Sequence, residues 1–306
     1  MSMDTSSFTN ALNLPLRKIF FDEYNEAEQE YTGWVNVGTL DKNYEEDWKV
    51  GGFGSVPTKT QGASVTFQDA VSGSLKRYTS VSFGLGFRIT WEMWEDDQTG
   101  IMKQMTRQLA RSFKNLFEVR AARILNNATS TSSEFLGLDS LALLNTAHPL
   151  LATGGSTYAN KPTVDVDISY TAVQAAIQNF YDIKDESNFP KAIYPDKALV
   201  TVSDMHKARE LFANELQPGT ANNDRNLINQ GPGGVKGYQI LRYLTDSDTW
   251  FIIAPKKDHS MNFLVRSKPA FHTFDDPETA DIKVRGLARC VSGFSDWRGV
   301  YGSTGG

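Results

Sequence analysis

From Val81 to Trp91 an apolar side chain stands at every second position: Val81, Phe83, Leu85, Phe87, Ile89 and Trp91. Ser82, Gly84, Gly86, Arg88 and Thr90 fill the places between them. Successive side chains of a strand point to opposite faces, so this spacing predicts a β-strand with one apolar face on a core. Ala63, Val65 and Phe67 alternate in the same way with Ser64, Thr66 and Gln68, and Ser72-Gly73-Ser74 between the two runs is a turn signal. Residues 63–91 therefore read as a long hairpin whose second arm continues into the body. An arm of about ten residues reaches ~33 Å, too far to bury both faces on one chain of this size. Such a hairpin lies on its own subunit or reaches outward.

The period then changes. Met102, Met105, Leu109, Phe113, Leu116, Val119 and Ile124 recur at steps of three to five, with Lys103, Arg107, Arg111, Lys114, Arg120 and Arg123 between them. This predicts one amphipathic helix over residues 101–126, ~39 Å long at ~1.5 Å per residue. The acids of Trp91-Glu92-Met93-Trp94-Glu95-Asp96-Asp97 precede its start, where the helix dipole favours negative charge.

The remaining segments mix both periods. Residues 1–45 carry apolar anchors at Leu12, Leu14, Leu16, Ile19, Phe20 and Tyr24, followed by Asp22, Glu23, Glu26, Glu28 and Glu30. Composition favours a solvated helix there over an arm docked on a neighbouring subunit. Residues 51–62 hold too much glycine and proline for a helix, and 127–163 are irregular and polar. Tyr170, Val173, Ile177 and Phe180 have helical spacing, and Lys197–Val202 reads as a strand. Ser203 is a candidate N-cap for a helix with Met205, Ala208, Leu211 and Phe212 on one face. Residues 214–237 form a loop long enough to suggest function or mobility. Strands follow at Tyr238–Leu244, Trp250–Ala254, Ala270–Phe274 and Ile282–Tyr301. The chain leaves one body, builds a second and returns to the first, an α+β organisation.

Composition removes several function classes. The chain has 306 residues, 40% of them hydrophobic and 22% charged, enough to bury a core. Its net charge of -5 does not suit a chain whose main task is gripping nucleic acid. A single cysteine, Cys290, excludes an internal disulfide and a zinc finger. No two of His148, His206, His259 and His272 stand at metal-ligand spacing. The one N-terminal apolar stretch, Ala11–Phe21, is broken by Pro15, Arg17 and Lys18, and no run approaches the roughly 20 residues of a membrane span. The expectation is a soluble intracellular product without a membrane partner.

Candidate chemistry is equally thin. Cys290, between Leu287 and Val291, reads as a buried structural thiol, and His148 before Pro149 as a loop-ordering residue. Asp165/Asp167 and Asp246/Asp248 read as turn acids, since no calcium-loop pattern accompanies them. Gly231-Pro-Gly-Gly-Val-Lys-Gly lacks the Gly-Lys-Ser/Thr ending and preceding strand of a phosphate loop. No nucleophile elbow is present. The chain is expected to be no enzyme, with no catalytic residue, cofactor or metal.

Four segments carry a family resemblance: Leu143-Leu-Asn-Thr-Ala-His-Pro149; Lys197-Ala-Leu-Val-Thr-Val followed by Ser203-Asp-Met-His-Lys-Ala-Arg-Glu-Leu; Asp248-Thr-Trp-Phe-Ile-Ile; and Asp296-Trp297-Arg298-Gly299 with Tyr301-Gly302-Ser303. In their order, over nearly the whole chain, they resemble major capsid proteins of tailed bacteriophages with the Hong Kong 97 fold. More narrowly they resemble the Mu-like major head subunit group. The resemblance implies an N-terminal arm (1–47), an extended hairpin or E-loop (48–82) and a peripheral domain (83–164 and 266–306) with a long spine helix at about 98–126. An axial domain would span 165–265.

The implied function is a structural virion subunit that self-assembles, in the host cytoplasm, into an icosahedral head around double-stranded DNA. Its implied partners are its own copies in hexamers and pentamers, scaffolding, portal and decoration proteins, and DNA by weak non-specific contact. Lys59, Phe67, Gln68, Lys76 and Arg77 in the E-loop, with Asn223 and Arg225 in the 214–237 loop, are the candidate inter-subunit contacts. Some relatives crosslink an E-loop lysine to a neighbour's asparagine, which puts Lys59 and Lys76 forward. Others begin with a cleaved scaffolding segment, which is not visible here, so any scaffold that is used would be a separate protein. The rival readings are an encapsulin-like nanocompartment shell, a hydrolase with an unrecognised site, and a tail tube protein, the last opposed by the α/β middle block.

Overall fold

A computed structural model describes residues 5–26, 29–69, 72–90, 92–93, 96, 100–150, 157–216, 225–229, 233–276, 279 and 281–306. Its helices are α1 (Thr5–Asn25), α2 (Ile101–Asn126), α3 (Tyr170–Asp182) and α4 (Met205–Ala213). Its strands are β1 (Asn36–Thr39), β2 (Tyr44–Val50), β3 (Ser72–Thr79), β4 (Val81–Ile89), β5 (His148–Pro149), β6 (Thr157–Tyr158), β7 (Lys197–Val200), β8 (Gly237–Ile240), β9 (Trp250–Ile253), β10 (Met261–Asp275), β11 (Ile282–Phe294) and β12 (Val300–Ser303). Two compact units result: residues up to Glu45 with Tyr78–Ala122 and Phe263–Ser292, and Glu46–Arg77 with Arg123–Asn262 and Gly293–Gly306. None of the helices among the described residues is long and apolar enough to cross a membrane.

The first unit is built on the antiparallel sheet β1-β10-β11-β4. The period-two run at 81–89 forms β4 as expected, paired with β11 from Ile282 opposite Ile89 to Cys290 opposite Val81. The helical run forms α2 as expected. Its buried stripe is Met102, Thr106, Leu109, Phe113, Phe117 and Ala121, at steps of three and four, whereas Val119 is 50% exposed. Phe117 meets Phe263 of β10 at 5.5 Å between ring centroids. The N-terminal segment is helical but not merely solvated: Leu16 and Phe20 are buried, and Phe20 lies 5.2 Å from Phe271 of β10. Burying those two residues outweighs the acidic composition of the segment's end.

The long hairpin is not formed as the sequence suggests. Residues 63–68 belong to no strand, and β4 pairs with β11 and not with them. The two-stranded ribbon is instead β2 with β3, and residues 51–69 connect its arms. Alternation shows that a segment can present one apolar face; it carries no information on which strand lies beside it. Val65 and Phe67, the apolar face of the expected strand, are exposed.

The second unit holds the sheet β12-β9-β7-β8, with β7 parallel to β8 and antiparallel to β9. All four residues of β9 are buried, the continuous apolar run of a central strand. Val173 and Phe180 of α3 and Phe212 of α4 share one apolar cluster with Trp250 and Ile252. Ser169 caps α3 by accepting from Ala172 N at 3.2 Å. At α4 the capping position belongs to Asp204 and not to Ser203, and Asp204 pairs instead with Lys207 at 3.2 Å. The strand expected over Ile282–Tyr301 is two strands, β11 and β12, separated by Asp296 and Trp297 among others.

Candidate assembly surface

The ribbon starts from the sequence Tyr-Glu-Glu-Asp-Trp-Lys-Val of β2. Its period of two sends Tyr44, Glu46, Trp48 and Val50 to one face and Glu45, Asp47 and Lys49 to the other. Lys49 ends in a cluster of charges that the sequence does not announce. Its Nζ lies 2.5 Å from Glu186 Oε1 and 3.0 Å from Asp296 Oδ2. Arg298, almost fully buried, donates from Nη1 to Glu186 Oε1 at 2.7 Å and from Nε to Lys184 O at 2.8 Å. Burial alone would raise the Asp296 carboxyl, but Lys49 and Arg298 outweigh it and hold that group below the usual carboxylate range. Two cations facing two carboxylates balance the cluster, the condition for keeping such groups out of water.

The other arm is held as firmly. Lys76 Nζ donates to the carbonyl oxygens of Leu136 at 2.6 Å and Glu134 at 3.1 Å. Burial lowers its pKa from the ordinary lysine value. Arg77 pairs with Glu46 across the ribbon. Between the arms the chain is left to solvent: Val56 is 94% and Phe67 92% exposed. Lys59 is exposed there too, and Gln68 Oε1 accepts from Gly54 N at 3.0 Å. The candidate contact residues therefore form two groups. Lys59, Phe67 and Gln68 share the connecting segment, and Lys76 and Arg77 sit at the ribbon's base. Arg225 belongs to another loop, where it bridges to Leu216, and Asn223 lies outside the described residues.

The motifs of the closing segment meet in the same unit. His148 is buried with Nδ1 2.5 Å from Asp139 Oδ2 and Nε2 3.2 Å from Asn160 Oδ1. Its ring stacks on Trp297 at 4.5 Å, and the Arg298 guanidinium carbon lies 4.7 Å from the Trp297 ring centroid. Asn160 Nδ2 donates to Leu143 O and Val300 O. The Leu143–Pro149 and Asp296–Gly299 motifs are thus two sides of one polar knot that orders a loop. Every polar atom of the His148 ring is engaged there, and Cys290 is buried, its thiol pushed up to about 11 by that burial. Asp165 pairs with Lys161, and Asp246 accepts from Asp248 N. No group of three or more His, Cys, Asp or Glu side chains suited to a metal ion occurs among the described residues.

A sheet packed on two helices, a second α/β unit and a two-stranded ribbon make a fold of the Hong Kong 97 class, and solved structures share it. A chain of Microbacterium phage Oxtober96 superposes with a TM-score of 0.58 at 9% identity, covering 92% of this chain and 92% of that one. The asymmetric unit of the bacteriophage PhiM1 mature capsid gives 0.55 at 11% identity, covering 90% and 86%. The crystal structure of a virus-like particle from Pyrococcus furiosus gives 0.52 at 10% identity, covering 94% and 97%. No curated protein matches the sequence. The family described as phage capsid protein matches residues 74–303, and the chain belongs to that family.

Proposed function

We propose that this chain is the main structural subunit of the icosahedral head of a tailed bacteriophage. Copies would close into a shell of hexamers and pentamers around double-stranded DNA. The observation that supports this beyond the family is the connecting segment of the ribbon. It carries Val56, Val65 and Phe67 into solvent on one short segment, and apolar side chains gathered on an exposed surface mark an interaction site. A neighbouring subunit supplies that cover in this reading. Residues 48–82 act as the E-loop, with Lys59, Phe67 and Gln68 in contact with the neighbour. The helix α2 is the spine of a peripheral domain (83–164 and 266–306), residues 165–265 form the axial domain, and residues 1–47 form the arm. Asn223 and Arg225 belong to contacts around the capsomer centre.

The role is structural and not catalytic, since His148 and Cys290 are both held in packing roles. Shells form in the host cytoplasm in this reading, with scaffolding, portal and decoration proteins as candidate partners. Expression of the full chain with and without a co-expressed scaffold, followed by negative-stain microscopy, tests this. Closed shells or capsomers are expected. Particles from infected cells should contain DNA; particles filled with an enzyme cargo would indicate a nanocompartment instead. A monomer under every condition overturns the reading.

A further inference from the structure

Strand β4 lies at one end of the sheet β1-β10-β11-β4, paired with β11 and with no strand on its other flank among the described residues. Its register with β11 runs unbroken from Val81 to Ile89, so no bulge twists the edge away. The strand holds no proline and one charge, Arg88. Bulges, prolines and charges are the usual means of keeping an edge strand from pairing with another chain. This edge has one charge in place of all of them.

The same edge borders an apolar groove. Leu85 is the register partner of Gly286, which lies beneath Phe113, so Phe83, Leu85 and Phe87 face α2. Met105 and Leu109 meet them from the helix, with Gln104 and Gln108 at the rim. No charged side chain lines the groove. Lys103, Arg107 and Lys114 fall on the far side of α2, because positions on a helix advance by ~100° per residue. Leu85 stays 52% exposed and Val81 41%. Charged residues make up 22% of the chain, so a groove without one selects its occupant. Neither a polyanion nor a charged peptide finds a partner there.

Strand β4 is complementary to itself. A two-fold axis through Leu85, perpendicular to the sheet, sets two copies of the strand antiparallel and pairs them over their whole length. Leu85 then meets Leu85, Phe83 meets Phe87 and Val81 meets Ile89, apolar against apolar on the face toward α2. On the other face Gly84 meets Gly86 and Ser82 meets Arg88, so no like charges are opposed. We propose that β4 pairs with β4 of a second copy across such an axis, joining their two sheets edge to edge. The proposal rests on the self-assembly reading above and names one contact that it uses. A closed icosahedral shell has two-fold axes, and a contact across one draws the same residues from both copies.

Cysteine crosslinking in the full chain tests it. A residue on the axis meets itself at a Cα spacing of ~4.5–5.5 Å, which a disulfide can span. Leu85→Cys should therefore give disulfide-linked dimers when assembled chains are oxidised. The two copies of Val81→Cys would stand ~26 Å apart across the pair and should stay unlinked. Both positions are exposed, and Cys290 is buried and contributes no link of its own. Leu85→Lys sets like charges against each other, and so does Leu85→Glu. Each should melt like the parent yet raise the concentration needed for assembly about tenfold, and the two chains mixed should recover most of that loss. Assembled Leu85→Cys that runs as a monomer on a non-reducing gel overturns the pairing. So does equal linking of Val81→Cys, or a link from Leu85→Cys to a different protein. Mixed Leu85→Lys and Leu85→Glu chains that assemble no better than either alone overturn it too. A parent chain that never assembles overturns the self-assembly reading as well, a result distinct from all of these.

Discussion

The ring of Phe113 lies so close over Gly286 that a β-carbon at position 286 would stand 2.2 Å from its Cε2 atom. Helix α2 is thus fitted to the sheet of the first unit through one phenylalanine and the absence of one side chain. Both residues are needed because Phe113 is at the centre of the α2 stripe and is almost fully buried. Phe20 packs against its edge at 6.3 Å, so the contact also ties α1 to the unit.

Phe113→Ala should destabilise the subunit by about 3–5 kcal/mol, through lost transfer energy and a cavity. Gly286→Ala should cost about 1–3 kcal/mol by overpacking. The two together should cost less than their sum, because the new methyl fills part of the space that the ring leaves. Denaturant melts of the four chains give the coupling. Strict additivity would show that the two residues do not share this contact.

Arg298→Met removes the central cation from a buried cluster and leaves Glu186 and Asp296 with Lys49 alone. Uncompensated buried charge of this kind costs about 3–5 kcal/mol. The melting temperature should fall accordingly. A variant as stable as the parent would mean that the cluster is open to water.

The same cluster sets a pH dependence. Asp296 is held below its ordinary value of 3.8 in the folded chain. A carboxyl depressed by folding contributes stability that is fully present above the unfolded value and is lost as pH falls through the folded one. Asp296→Asn should therefore lower stability near neutral pH, and the difference from the parent should shrink only below about pH 4. Thermal melts from pH 7 downward check this. A difference that already vanishes near pH 6 would contradict the sign of the shift.

Backbone amides in residues 51–69 should exchange rapidly in the free subunit, because the segment contains no strand and few of its side chains are covered. In an assembled shell the same amides should be protected by the neighbour. Hydrogen exchange followed by mass spectrometry reads both states. Equal protection in the two would remove the segment from the assembly contact.

Strand β4 and helix α2 are legible in the sequence because each repeats one period long enough to exclude the other. The partner of β4 is not, because Ile89 and Ile282 are joined only in three dimensions. Ala63–Gln68 shows the same limit from the other side: the right alternation, with no strand beside it. The spacing through Leu116 and Val119 runs one residue out of phase there, since Phe117 and Glu118 are the buried residues and Val119 is half exposed. Glu118 is tolerated inside because it accepts from Glu30 N and Tyr31 N, more than eighty residues away. The Lys49 cluster escapes for the same reason, although Asp296-Trp297-Arg298 stands out as a motif. His148 reads as a loop-ordering residue from its place before Pro149, but its partners Asp139, Asn160 and Trp297 come from three separate segments.

Gly62, in the middle of the ribbon's connecting segment, turns with φ +81° and has no heavy atom within 4 Å of where its β-carbon would be. The subunit's own packing therefore places no steric demand on this point, and only the left-handed turn itself favours glycine there. Substitutions and short insertions beside Gly62 should cost the folded subunit little and, on the proposed assembly reading, be limited by fit against a neighbour. Related shells can then diverge fastest where they touch. By the same logic, a foreign peptide spliced in at Gly62 should leave the folded subunit intact while displaying its cargo on every copy that still assembles.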